Sequence, residues 1–232
     1  MPLAKKCLNF INLDTPQGRF YWSPNDPDIY YPSVTTIIGW KPDNKKKGGY
    51  TGPAAAIGSL THYKCLKKFS DHPLEFPSDP IWGVSKEEAT RRLNECCRMW
   101  DELLTTFYKI NHLKVESVIY SANPRYAGRI DDLVKFKQTK DSPWELSLWD
   151  IKTGASYEPK HSMQAAAYWH ALKRKPKTVK FFYLDAIVGR NPDQCGTIHT
   201  YDTYALEAAF EEFQDKYLDY GGPLGPDPVE FV

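Results

Sequence analysis

The stretch from Gly128 to Tyr168 constrains this chain more than any other. It reads GRIDDLV, then WELSLWDIKTG, then HSMQAAAYWHAL. The first two runs read as strands, and the third places Ala165, Trp169 and Leu172 on one helical stripe. Strand, strand, helix puts a carboxylate on one strand and a second carboxylate two residues before a lysine on the next. Asp131, Asp150 and Lys152 then converge at the mouth of a small sheet, with Gln164 and Tyr168 lying across it.

The remaining segments supply what such a sheet needs. Pro53 suits a first helical turn and opens a helix running to about residue 69, with Gly58 and His62 four apart on one face. Ser85 and Glu88 have capping-box spacing, with the Ser85 hydroxyl capping the helix and Glu88 reaching back. That second helix is expected to extend to about Ile110, with Leu93, Cys96, Cys97, Trp100, Leu103, Leu104 and Phe107 at helical spacing. Strands follow over 115–120, 127–137 and 146–153, then a helix over 160–173. Residues 178–188 read as a central strand that pairs with 196–201 through a turn at 190–194, and a last helix spans 203–220.

Upstream, Pro16, Pro24, Pro27 and Pro32 break residues 1–33 into short strands and turns, with FYW at 20–22 as an edge strand. YYPSVTTIIGW reads as a short strand or the entry to one, and 41–52 as a polar, Gly-rich loop. Helix, three strands, helix, strand is the order of an α/β sandwich with a central mixed β-sheet flanked by helices.

At 232 residues the chain accommodates one substantial α/β domain with an elaboration. An apolar run of about 18 residues is needed to span a membrane, and even FFYLDAIV is interrupted by Asp185. The opening MPLAKKCLNF lacks the apolar region of a signal peptide, so an intracellular location is expected, cytoplasmic or in the cytoplasm of a host. Five cysteines, two of them adjacent, match neither a disulfide framework nor a CxxC zinc site, and buried free thiols are expected. The net charge of +1 is uneven: from Thr203 onward seven acidic residues face one lysine, and Lys45–Lys47 and the Lys173–Lys177 run are the densest basic parts of the remainder. Such clusters are compatible with a groove that tracks phosphates and do not require one.

Strand period sorts the candidate residues. In SLWDIKT, Leu148, Asp150 and Lys152 face one side while Trp149, Ile151 and Thr153 face the other. A D-x-K pair is commonly a surface ion pair. Here the flanking residues are apolar, and a charged pair on a buried strand is rarely ornamental. Alternation separates Asp131, with Arg129 and Leu133, from Asp132, with Ile130, Val134 and Phe136, without choosing between them. His62 is a single helical histidine, Glu116 opens a strand, and Gln164 and Tyr168 share a helix face turned from the core stripe.

Taken together, GSLTH (58–62), Glu116, GRID (128–131), DIK (150–152) and Q-x-x-x-Y (164–168) resemble, in order, the motifs of the PD-(D/E)XK nuclease superfamily. The likeness is to its RecB-like exonuclease branch, with mitochondrial and phage-type members, which also carries an upstream S-V-T segment, here Ser33-Val34-Thr35. The resemblance implies a restriction-endonuclease-like core over 53–220 with a helical insertion at about 85–110, N-terminal strands and a basic loop over 1–52 packed on it, and a tail at 221–232. It implies that His62, Asp131, Asp150 and the Ile151 carbonyl bind one or two Mg²⁺ or Mn²⁺ ions, that Lys152 positions water, and that Glu116 supports metal or water. Gln164 and Tyr168 then contact the scissile strand, and Ser33 and Thr35 touch a phosphate.

The spacing favours Asp131 over Asp132 on the same ground, leaving Asp132 to meet a backbone or basic partner. Only Cys195 follows the core, where iron–sulfur members need three cysteines, so no cluster is expected. The implied activity is metal-dependent DNA hydrolysis from strand ends, on single strands or DNA ends. The implied partners are a DNA substrate and recombination or replication proteins, with no membrane. A structure-specific or restriction-like endonuclease and a non-catalytic DNA-binding subunit are the alternatives.

Overall fold

The computed structural model describes residues 11–15, 18–23, 26–41, 53–70, 85–154, 159–173, 175–184 and 196–221. The Lys45–Lys47 loop, the 71–83 connector, the turn at 190–194 and the tail from 222 lie outside the described residues.

A five-stranded mixed sheet forms the centre. Its strands, in spatial and sequence order, are β4 (Lys109–Ala122), β5 (Arg125–Lys137), β6 (Glu145–Lys152), β7 (Thr178–Tyr183) and β8 (Thr197–Asp202). All neighbours are antiparallel except β6 and β7, which run parallel and are joined through helix α4 (Lys160–Ala171). A parallel neighbour requires such a crossover.

Helices cover both faces. On one, α1 (Val34–Gly39), α4 and α5 (Thr203–Tyr220) pack on Leu148, Val179, Phe181 and Tyr201. On the other, α2 (Pro53–Leu66) and α3 (Lys86–Leu104) pack on Val134, Phe136, Trp149, Ile151 and Phe182. The period-2 reading of β6 therefore holds: Leu148 faces one layer, Trp149 and Ile151 the other. Trp149 lies against Trp100, Phe107, Phe136 and Phe182 with ring centroids 4.8 to 6.3 Å apart, contacts that add about 0.5–1.5 kcal/mol each beyond simple burial.

A second, three-stranded sheet of β1 (Ile11–Thr15), β2 (Gly18–Ser23) and β3 (Asp26–Pro32) precedes this core. Tyr21 and Tyr31 pack on Ala127 of β5, and Ser33 bridges to Ala127.

Several local expectations change. The FYW run is the middle strand of its sheet, with Phe20 and Tyr21 buried. Val34 to Gly39 is a short helix despite its β-branched residues. The Ser33 hydroxyl accepts the Thr36 N–H as an N-cap, and Val34, Ile37 and Ile38 bury one face at helical spacing.

Helix α3 stops at Leu104. Thr105 and Thr106 turn their hydroxyls back to the carbonyls of Glu102 and Leu103, and Tyr108 N–H bonds Lys137, which draws the chain into β4. Ser85 caps α3 as its spacing predicts, but Glu88 does not reach back, because Arg91 and Arg92 hold its carboxylate at 2.7 and 2.6 Å. The alternation along β5 is also broken: Ile130 joins the α4–α5 layer while Val134 and Phe136 join the other. A bulge at Leu113 in the partner strand shifts register beside this segment, and bulges increase local twist. Among the described residues, no helix is long and apolar enough to cross a membrane.

Candidate metal centre

The β5–β6 ladder runs from Phe136–Glu145 to Asp132–Trp149 and then parts. One step further, the Oδ2 of Asp131 takes the Ile151 N–H at 2.6 Å, so a side chain replaces the next ladder bond. On the other side, Val115 and Ser117 of β4 pair with Asp132 and Ile130, which leaves Glu116 opposite Asp131. Glu116 has φ of 47°, in the left-handed region, a conformation that costs a non-glycine residue about 1 kcal/mol or more.

Helix α2 delivers His62 to this gap. Its Nε2 lies 3.0 Å from the Ile151 carbonyl, and its Nδ1 lies 3.3 Å from Asp131 and 3.6 Å from Glu116. Gly58, one turn earlier on the same face, explains the close approach: a Cβ there would sit 3.1 Å from the Thr153 hydroxyl. Gly58 thus keeps space open where α2 approaches Thr153.

A second chain of contacts starts beside the first. Asp150 and Lys152 form an ion pair, Lys152 donates to Gln164 at 3.0 Å, and Gln164 donates to the Tyr168 hydroxyl at 3.0 Å. Tyr168 lies directly over Gly128, where a Cβ would come within 2.4 Å of its ring.

Burial and mutual charge set the protonation of these groups. For Asp150, burial dominates, opposed by Lys152 and reinforced by Asp131, and its carboxyl is pushed up to about 6. For Asp131, burial also pushes up, but His62, Lys152 and the Ile151 N–H together hold the carboxyl below the ordinary aspartate range. Burial works against protonation of His62, yet Asp131 and Glu116 raise it well above the usual imidazole range. Burial, and then Asp150, raise the Tyr168 phenol.

The residues fit a hard divalent cation. Ligand atoms of His62, Glu116 and Asp131 lie within 4.8 Å of one another, and the Ile151 carbonyl joins them through His62. Asp150 adds a buried Oδ2 that has its lysine ion pair but no hydrogen bond. Oxygen-rich donors with one imidazole suit Mg²⁺ and Mn²⁺. Glu116, given a supporting role by the resemblance, stands in the closest donor group, whereas Asp150 lies on the lysine side.

Other candidates fall elsewhere. Asp132 bonds His112, whose ring stacks on Phe69 at 3.6 Å. Ser33 is 3% exposed and its hydroxyl is engaged by Thr36 and Thr35, with Thr35 itself exposed. Arg129 belongs to none of the residues expected at the site, yet its guanidinium lies 3.7 Å from Glu116. Its place two residues before Asp131, on the same strand face by alternation, is the mark it carries in the sequence. A separate concavity, lined by Trp40, Lys41, Lys216 and Asp219, includes none of these groups.

No protein-family model matches the chain, and no curated protein matches it. Among solved structures it is similar to the crystal structure of SSO0001, at 11% identity and a TM-score of 0.30, over 83% of this chain and 87% of that one. A likeness that loose defines neither fold nor function.

Proposed function

We propose that this chain is a metal-dependent deoxyribonuclease with a restriction-endonuclease-like core of the PD-(D/E)XK type, hydrolysing DNA phosphodiesters from strand ends. The observation that carries the reading is the junction at Ile151. Its N–H is held by Asp131 and its carbonyl by His62, while Asp150 and Lys152 flank it on the same strand. The order of the sequence motifs supports the same reading.

His62, Glu116, Asp131 and the Ile151 carbonyl would hold the cation, with Asp150 as the remaining carboxylate. A divalent ion bound there supplies Lewis-acid charge for the phosphate and a nucleophile available near neutral pH. Lys152, held by Asp150 and Gln164, directs its ammonium toward developing negative charge and orients the attacking water. Gln164 and Tyr168 brace that lysine. Tyr168 lies in the core at 5% exposed rather than on a face turned from it, which leaves the part-exposed Gln164 to meet the scissile strand. The histidine on α2 favours attack at ends, following the exonuclease branch that the motifs resemble.

The test uses end-labelled single- and double-stranded oligonucleotides, each end blocked in turn, and a closed circle, with Mg²⁺ or Mn²⁺ or with chelator. Cation-dependent loss of the linear substrates with the circle intact is the expected result. Cleavage of the circle would move the reading to an endonuclease, and no cation-dependent cleavage of any substrate would overturn it.

A further inference from the structure

Outside the metal centre, the described residues hold one pair of sulfur atoms in contact. Cys65 on α2 and Cys97 on α3 come from helices packed together, and their Sγ atoms lie 4.0 Å apart. Cys65 is 2% exposed, whereas Cys97 is partly open to solvent. The two therefore differ in access: one sulfur can be reached from outside, and its partner waits behind it.

The surroundings sharpen this asymmetry. The contact with Cys65 does most to hold the Cys97 thiol down, to about 7. Burial opposes this, Lys64 and Lys68 assist it, and Asp101 works against it. Lys68 is bonded to Asp101 at 3.0 Å. Cys96, next in sequence, is engaged differently: it is buried and its thiol donates to the Leu184 carbonyl at 3.0 Å. An accessible, low-pKa thiol next to a resolving thiol is the arrangement that reacts with oxidants selectively.

We propose that Cys65 and Cys97 form a thiol-oxidation site that takes a small-molecule disulfide as oxidant and closes to a disulfide joining α2 to α3. The Cys97 thiolate attacks one sulfur of the oxidant RS–SR, forming a mixed disulfide and releasing RS⁻. The Cys65 thiol gives its proton to the released thiolate and attacks the Cys97 sulfur, expelling the second RS⁻, which takes a proton from water. Two protein thiols are oxidised and one small disulfide is reduced to two thiols. A disulfide needs its sulfurs about 2.05 Å apart, so the pair closes by roughly 2 Å.

The experiment equilibrates the full chain with oxidised and reduced glutathione over a range of ratios, caps free thiols with N-ethylmaleimide, and maps unreduced digests by mass spectrometry. A Cys65–Cys97 cross-linked peptide is expected at oxidising ratios, lost on reduction and in C97S, and kept in C96S. In C65S, Cys97 is expected to remain as the glutathione mixed disulfide. In the reduced native protein, iodoacetamide should label Cys97 about tenfold faster than Cys65 or Cys96. Both cysteines found capped by maleimide throughout, or Cys97 linked to a different cysteine, would overturn the proposal. The wild-type map decides the matter even if a variant fails to fold.

Discussion

The Ile151 N–H donates to the Oδ2 of Asp131 across 2.6 Å, at the step where β5 and β6 stop pairing. A carboxylate thus ends a ladder and, with its other oxygen, faces His62. His62→Ala removes the imidazole that joins Asp131, Glu116 and the Ile151 carbonyl. Wild-type protein should gain thermal stability on adding Mn²⁺, by about 2.7 kcal/mol at a hundredfold excess over Kd. His62→Ala and Asp131→Ala should lose most of that shift in a melting assay, and an undiminished shift in either would remove that residue from the centre.

Gly128→Ala tests the second chain of contacts. The added methyl would meet the Tyr168 ring at 2.4 Å, so the ring must move and take the Gln164 hydrogen bond with it. Overpacking of this kind costs about 1–3 kcal/mol. A lowered melting point together with cleavage reduced about tenfold is expected, since misplacement of positioning groups is costly. A variant that melts and cleaves as wild type would show that Tyr168 is not held over Gly128.

The features legible in the sequence are local ones. Leu148 to Thr153 sorted its faces correctly because a strand's period survives when both faces are buried, and α5 matched its reading because Asp202 caps it and Gly221, at φ of 82°, ends it. Helix α1 departs from the strand expected there because Val34, Thr35, Thr36, Ile37 and Ile38 have strand propensity, which the Ser33 cap and core contact override. Glu116 meets Asp131 through a register that includes a bulge, and Cys65 meets Cys97 across 32 positions. Neither pairing is written in neighbouring residues.

Ser33→Ala separates a cap from a phosphate contact. The Ser33 hydroxyl is engaged by Thr36 and Thr35, and losing a serine N-cap costs about 1 kcal/mol. Denaturant unfolding should report that loss while DNA affinity stays at the wild-type value. Weakened DNA binding in folded protein would give Ser33 the phosphate contact that the family resemblance implies.

Tyr126 supplies a pH-dependent prediction away from the candidate metal centre. Its hydroxyl donates to the Ala167 carbonyl at 2.9 Å, with His170 Nδ1 at 3.1 Å. Burial raises its phenol well above the ordinary value of 10.0, so the folded state favours the neutral ring. Its contribution is complete below pH 10 and is lost as pH rises above that value towards its folded-state pKa. Tyr126→Phe should cost about 1 kcal/mol at neutral pH and flatten the decline in stability above pH 10. An unchanged alkaline slope, followed by chemical denaturation, would contradict this.

The most direct test of the metal-centre account is single-turnover cleavage of an end-labelled oligonucleotide by wild type and Lys152→Ala, with Mn²⁺ or with chelator and with DNA affinity measured in parallel. Wild type should cleave only with the cation. Lys152→Ala should lose at least about a hundredfold in rate, the scale on which a positioned charge stabilises a transition state, while binding DNA as before. Equal cleavage by the variant, or cleavage of DNA in chelator, would contradict the account.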